Sequence, residues 1–362
     1  MSETKGPHTI KGRGALTNRE GRFERYQTEA FDDGWGTLEW DPPPPPVTTL
    51  HPDALRSIIT RNQSPDIPFE QSINPYRGCE HGCIYCYARP SHTYLGHSAG
   101  LDFETQIYVK NGAGAILDKE LRKPRYQVKP ITLGSNTDPY QPIEKSQRIT
   151  REILETLNAF NHPVYIITKG ALILRDLDLL ADMASRNLVR VMVSVTTLDN
   201  RLAQTLEPRA AAPHRRIQII EKLREKGVPV TVNAAPMIPA INDMELEKIM
   251  ERGREAGADR AIYILLRLPL EVRDLFYEWL EAHYPNKRDH VISLIRQTRG
   301  GADYESTSGV RFRGRGPYAD LLKQRYQITC RRLGYNTTHS SLDTSAFRPP
   351  PRPGDQLSLF PF

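Results

Sequence analysis

Cys79, Cys83 and Cys86 lie within Ser72–His92, which reads SINPYRGCEHGCIYCYARPSH, in a C-x3-C-x2-C spacing, and they are three of only four cysteines in 362 residues. Thiols this close in sequence make a poor disulfide framework and good joint metal ligands. Three thiolates can cap three irons of a cubane [4Fe–4S] cluster and leave the fourth iron without a protein ligand from this loop. An open iron makes such a cluster a catalyst rather than an electron store. Gly78 and Gly82 relieve crowding where backbone must wrap the inorganic core. The competing chemistry is a structural zinc site with His81 or His92 as the fourth ligand. His81, squeezed between two thiols, would struggle to turn onto the same ion and reads better as a hydrogen-bond donor behind the ligands.

The fourth thiol, Cys330, sits in QRYQITCRRLGY, where Tyr326, Cys330 and Leu333 recur at helical spacing. That is the pattern of a buried helix cysteine; a hydrogen-donor role requires this helix to close the mouth of the fold. Asp138, Tyr140, Gln141 and Glu144 form a dense polar set after one apolar run, and Glu207 and Arg209 follow another. Basic residues gather in a Gly-rich segment (Arg296, Arg299, Arg311, Arg313, Arg315) and near the N-terminus (Lys11, Arg13, Arg19, Arg22, Arg25). Such loops can track a phosphate backbone or serve as solvated connectors. The formal net charge of +6 favours anionic partners through long-range attraction, although an ordinary basic surface explains it as well.

The elements that must position these groups alternate. Short apolar or β-branched runs at Ile131–Leu133, Val164–Thr168, Val189–Val195, Val228–Val232 and Ala261–Leu266 read as buried strands. Between them, one-faced apolar spacing predicts helices near 145–160, 173–186, 214–226 and 243–256. This alternation gives an α/β fold with parallel strands and right-handed crossovers, which is a full or partial β/α barrel or a doubly wound open sheet. In a barrel, functional residues gather at the C-terminal strand ends. Residues 1–60 form an extended Gly/Arg/Pro-rich arm, 61–290 the catalytic domain, and 291–362 an extension with a basic loop, a helix and a Pro-rich tail. Leu357, Leu359, Phe360 and Phe362 offer an apolar clip at the end of that tail. No apolar run is long enough to span a bilayer, and residues 1–30 lack a secretory pattern, so a cytoplasmic protein is expected.

The C-x3-C-x2-C motif with Tyr85 before its last cysteine resembles the signature of the radical S-adenosylmethionine (SAM) superfamily. Asn74 to His92 is similar to the spore photoproduct lyase-like branch. GRGA near the N-terminus, TDPYQPIE, VSVTTLD, EPRAAAP, APMIP and LLRLP extend the likeness to a narrower family of that branch, from about residue 12 to about residue 330. The resemblance implies a partial (β/α)6 TIM-type barrel. It also implies a [4Fe–4S] cluster on Cys79, Cys83 and Cys86, and reductive cleavage of SAM to a 5′-deoxyadenosyl radical. Tyr85 would lie near adenine. Gly134, Ser135, Thr137 and Asp138 would meet the SAM amino group, in place of the usual Gly-Gly-Glu. Lys169 and Ser194 would hold the SAM carboxylate, and Pro236 and Met237 would pack on adenine. Tyr87 matches a tyrosine implicated in hydrogen transfer in that branch. The position after the second strand, where the repair enzyme carries a cysteine, has no thiol here, so the repair reaction is not copied over and Cys330 is the remaining thiol candidate. The substrate class expected is nucleic acid, DNA or RNA, with an external electron donor such as flavodoxin or ferredoxin. The other class left open is a non-catalytic zinc or iron–sulfur protein that binds nucleic acid.

Overall fold

The computed structural model describes residues 10–23, 46–337 and 341–352. In chain order its strands are β1 (Thr49–Pro52), β2 (Thr60–Arg61), β3 (Gln71–Ile73), β4 (Tyr76–Arg77), β5 (Gln106–Val109), β6 (Ile131–Leu133), β7 (Val164–Thr168), β8 (Val189–Ser194), β9 (Val230–Met237) and β10 (Arg260–Leu265). Seven of these form one sheet in the order β10-β9-β8-β7-β6-β3-β2. Every pairing from β3 to β10 is parallel, and only the edge strand β2 is antiparallel to its neighbour. The chemistry of the strands explains this arrangement. Val189, Val191 and Val193 are fully buried, and all eight residues of β9 are buried, as expected of strands covered on both faces.

The covering helices are those the periodicity predicts. Ile149–Ala159 buries Ile149, Ile153, Leu154 and Leu157; Leu177–Ser185 buries Leu180 and Met183. Pro213–Glu225 begins with proline, whose missing N–H is harmless in a first turn, and Leu246–Glu255 buries Leu246, Ile249 and Met250. Six parallel strands in sequential order make the expected α/β partial barrel; β2 and β10 remain its two edges, with no closure through strand pairing.

Two features differ from the sequence expectation. Between β3 and β6 the chain makes a long excursion that carries the cysteine loop and the strands β4 and β5, which join the earlier β1 in a second, three-stranded sheet, β1-β5-β4. Its strands of two to four residues are too short to leave a period. The Gly/Arg segment after residue 296 is also no loose connector. Leu265 N–H donates to Phe312 O (2.9 Å), Gly309 N–H donates to Asp66 (3.0 Å), and Arg311 binds Asp66 and Ser64 Oγ (2.8 Å). The segment therefore runs from the edge of β10 to the β2–β3 loop, across the side that strand pairing leaves open.

Near the N-terminus, residues 10–23 are packed into the cysteine loop. Arg13 donates to Glu104 O (3.1 Å) and Pro46 O (2.7 Å), while Arg19 and Arg22 are paired with Glu278 and Glu271. These cations are thus tied down within the molecule. Arg25 and the apolar clip of Leu357, Leu359, Phe360 and Phe362 lie outside the described residues. Among the described residues no helix is long and apolar enough to cross a membrane.

Candidate active site

The cysteine loop follows β3 and β4, so it stands at the sheet edge where all the parallel strands end. Its backbone is held from several sides. Cys79 N–H donates to Phe103 O (2.9 Å), and Ile84 N–H donates to Leu206 O (3.0 Å). Gln141, just beyond β6, accepts from Glu80 N–H (2.8 Å) and donates to Gly78 O (3.2 Å). Arg89 is fully buried and donates to Cys83 O (2.8 Å), Ala99 O, Gly100 O and the Glu104 carboxylate (2.6 Å). Glu104 in turn accepts the Gly14 and Ala15 amides at 3.1 and 2.9 Å, which locks the N-terminal segment against the loop. Gly82, at φ +66°, has no room for a Cβ: one would fall 2.8 Å from Glu104 Oε2.

Cys79, Cys83 and Cys86 are all free thiols. Burial pushes Cys83 up to about 12, with Lys169 pulling the other way; burial and the nearby Asp138 charge push Cys79 well above the ordinary thiol range. Burial raises Cys86 as well. Thiols held this way keep their protons until a metal replaces them. Among the described residues no three Cys, His, Asp or Glu side chains converge on a single ion.

Around the thiols lie the other strand ends. Lys169, directly after β7, sits with Nζ 5.8 Å from the Tyr85 ring centroid and 3.8 Å from Glu207. The Tyr85 hydroxyl donates to Glu207, which also meets Arg216 at 2.5 Å and accepts from Thr196 Oγ1 at 2.7 Å. Burial alone would raise the Glu207 carboxyl, but Arg216 and Lys169 outweigh it and hold the group near about 2. Ser194, at the end of β8, accepts through Oγ from Asn233 Nδ2 (3.2 Å), and the buried Asn233 Oδ1 has no partner among the described residues. Tyr87 is 44% exposed at the mouth; its hydroxyl donates to Ser135 O and its ring lies under Arg267.

Several residues singled out in the sequence stand elsewhere than expected. The Asp138 carboxylate is taken up by Tyr140 N–H (2.9 Å), Thr168 Oγ1 (2.7 Å) and Lys169 N–H (2.7 Å), with His81 Nδ1 at 3.3 Å. Burial would raise it, but His81 and these donors hold it near about 2, so in this structure it organises the loop. Thr137 Oγ1 donates to Tyr76 O (2.8 Å), and Ser135 Oγ accepts from Asn74 Nδ2 (3.1 Å). Gly134, at φ +84°, turns the chain where a Cβ would meet Ile167 O at 2.4 Å. Pro236 offers its carbonyl to Asn242 Nδ2 (2.9 Å), whereas Met237 is fully buried opposite Leu265 in the main core and presents no face to a ligand. Cys330 is apart from the site. It lies against Asn336 (3.7 Å), which donates to Ala261 O at the start of β10. Ala261 is at the start of β10, and the thiol loop stands at the edge where that strand ends, four residues on.

Sequence reading missed Glu104, Arg89, Asn233 and the central place of Glu207. Asn233 is a polar residue within the apolar strand Val230–Met237, a signal of buried hydrogen-bonding need rather than of chemistry, whereas Glu104 and Glu207 stand among other polar residues and leave no such signal.

Residues 73–253 match the sequence model of the radical SAM superfamily. An uncharacterized protein of Mycobacterium tuberculosis (strain ATCC 25618 / H37Rv) is 37% identical over 254 residues, covering 69% of this chain and 74% of that one. Another, from Methanocaldococcus jannaschii, is 29% identical over 219 residues, covering 60% of this chain and 78% of its own. Among solved structures, spore photoproduct lyase complexed with dinucleoside spore photoproduct superimposes with a TM-score of 0.55 at 16% identity, covering 78% of this chain and 79% of that one, a likeness of fold. With half its length matched by the superfamily model and a relative this similar over most of both chains, the chain belongs to the radical SAM superfamily.

Proposed function

We propose that the protein is a radical SAM enzyme in which Cys79, Cys83 and Cys86 hold a [4Fe–4S] cluster and the neighbouring strand ends hold SAM. One observation carries this reading: three free thiols sit on one tightly anchored loop at the ends of the parallel strands, where Lys169 lies 5.8 Å from the Tyr85 ring and the buried Asn233 Oδ1 has no partner among the described residues. A buried acceptor without a donor is costly and rare, and an amine-bearing ligand would satisfy it. When bound, the cluster supplies the electron that splits a carbon–sulfur bond of SAM, giving methionine and a 5′-deoxyadenosyl radical.

The chain's own residues do the placing. Lys169 offers an ammonium and Ser194 a hydroxyl proton to the SAM carboxylate, and Asn233 an oxygen to its amino group. Glu207 and Arg216 fix Tyr85 and Lys169 in position, while Tyr85 itself is buried with its hydroxyl committed. Arg89 and Glu104 clamp the loop that carries the thiols, and the docked N-terminal segment excludes water from behind. The Gly134–Asp138 turn shapes the wall through Thr137 and Asp138 rather than through free donors, which leaves the Ser135 and Gly134 backbone as its contribution. Tyr87, beside Cys86 and facing the mouth, is the residue placed to meet the substrate. An external donor such as flavodoxin or ferredoxin delivers the electron, and nucleic acid is the substrate class the basic mouth suits.

The alternative, a zinc protein without turnover, needs its ligands gathered around one point. His81 turns its Nδ1 to Asp138 (3.3 Å) and His92 its Nε2 to Gln106 O (2.8 Å), so each candidate fourth ligand for zinc is engaged elsewhere. The test is anaerobic: reduced protein incubated with SAM, with the products separated by chromatography. The reading expects 5′-deoxyadenosine and a marked loss of SAM affinity in Lys169→Met; a colourless protein that leaves SAM intact refutes it.

A further inference from the structure

Arg267 lies two residues past β10, on the same edge of the sheet as the cysteine loop. Its guanidinium is stacked between two rings, 5.1 Å from the Tyr87 centroid and 4.7 Å from that of Phe312. Among the described residues its one hydrogen bond is a long one from Nη2 to the Tyr304 hydroxyl (3.3 Å), and its buried Nε has no partner. The acids of the adjoining segment are occupied by other cations: Asp303 by Arg296, Asp66 by Arg311 and Glu305 by Arg315. Arg299 stands beside Arg267 with its donors on Leu266 O (2.6 Å) and Val310 O (3.1 Å), again with no carboxylate among the described residues. Burial and the Arg267 charge push it down to about 10. The two neighbouring guanidinium groups repel one another, with only the longer-range pull of Glu305 on Arg299 against it, and a flat cation held in place by rings with its Nε edge unused is preorganised for an oxyanion.

We propose that Arg267, backed by Arg299, binds a backbone phosphate of a single-stranded nucleic-acid substrate, with Tyr87 and Phe312 as the flanking stacking surfaces. Nucleic acid is favoured over an acidic peptide because half-exposed Tyr87 places an aromatic face directly beside the cation, the pairing that single strands use. The proposal rests on the reading of the cysteine loop as the catalytic centre, and its test uses neither SAM nor reductant, so the two can fail separately.

The experiment is fluorescence anisotropy of a labelled single-stranded oligonucleotide on the anaerobically purified full chain over a salt series. Arg267→Gln is expected to weaken binding roughly tenfold and to flatten the log–log salt slope by about 0.7. Arg267→Lys should keep the slope but not the affinity, since an ammonium has neither the fork nor the stacking plane. Arg315→Gln, on the same segment but 58% exposed and paired with Glu305, should bind like the parent. Unchanged affinity and slope in a folded Arg267→Gln protein overturn the proposal, as does a labelled polyglutamate peptide that binds more tightly than the oligonucleotide with the same dependence on Arg267. Should the Gln variant fail to fold, full affinity in the Lys variant would overturn it.

Discussion

The N-terminal segment is the part of the site most exposed to a single methyl group. An alanine Cβ at position 14 would lie 1.8 Å from Gly82 O and 3.0 Å from its carbonyl carbon, inside the cysteine loop. Both partners are backbone, so no rotamer relieves the clash, and the segment must withdraw by about 1 Å or more. Withdrawal stretches the Gly14 and Ala15 amide bonds to Glu104, now 3.1 and 2.9 Å, past useful length. Each is a hydrogen bond to a charged acceptor, about 1.5–3 kcal/mol, and Glu104 keeps Arg89, so the carboxylate is not stranded; the net loss should be near 3 kcal/mol. Gly12 provides the control. Its φ is +77° with nothing within 4 Å, so Gly12→Ala carries only the conformational penalty of about 1 kcal/mol. Urea unfolding gives the energies, and amide exchange over residues 10–23 and 79–86 gives the location. A Gly14→Ala protein as stable as Gly12→Ala, with these amides equally protected, would refute the reasoning.

Breaking the buried Arg216–Glu207 pair with Arg216→Met should destabilise the fold by about 3 kcal/mol, because it leaves a carboxylate at 2% exposure with only the more distant Lys169, 3.8 Å away, as counter-charge; Arg216→Met with Glu207→Leu should recover much of that in the same denaturation assay. His162 is fully buried between Pro163 O (3.0 Å) and the Tyr126 hydroxyl (2.7 Å), and burial lowers it from 6.5 to about 4. The unfolded chain therefore takes up this proton first, so stability falls as pH drops from 6.5 towards 4, by about 3 kcal/mol over the window. His162→Gln should flatten that slope, and an unchanged slope in pH-dependent unfolding would contradict the assignment. Asp66→Asn should loosen the segment spanning the open side of the barrel, seen as faster amide exchange at Gly309, whose N–H it holds at 3.0 Å.

How much of this was legible in the sequence depended on the length of the signal. β7 and β8 and the helices that pack on them announce themselves through five to eleven residues of consistent period. The β9 run was placed two residues early because Val228 and Pro229 continue the apolar pattern, yet proline has no N–H for the ladder, and pairing extends instead through Asn233–Met237. The thiol trio could be read from spacing alone. What surrounds it could not: Glu104 meets Gly14 across ninety positions and Arg311 meets Asp66 across 245, contacts that only the folded topology creates. Asp138 shows the same limit, since sequence marks it only as a polar residue after a strand, while its bonds to Thr168 and Lys169 appear only in the fold.

The central claim is that three thiolates of one loop carry iron and the fourth cysteine does not. Iron analysis with Mössbauer spectroscopy on anaerobically reconstituted protein tests it directly, comparing the parent with Cys83→Ser and Cys330→Ser. About four irons per chain in the parent and in Cys330→Ser, with the cluster lost or degraded in Cys83→Ser, is the expected result. A full cluster in Cys83→Ser, or bound zinc in place of iron in the parent, would contradict it.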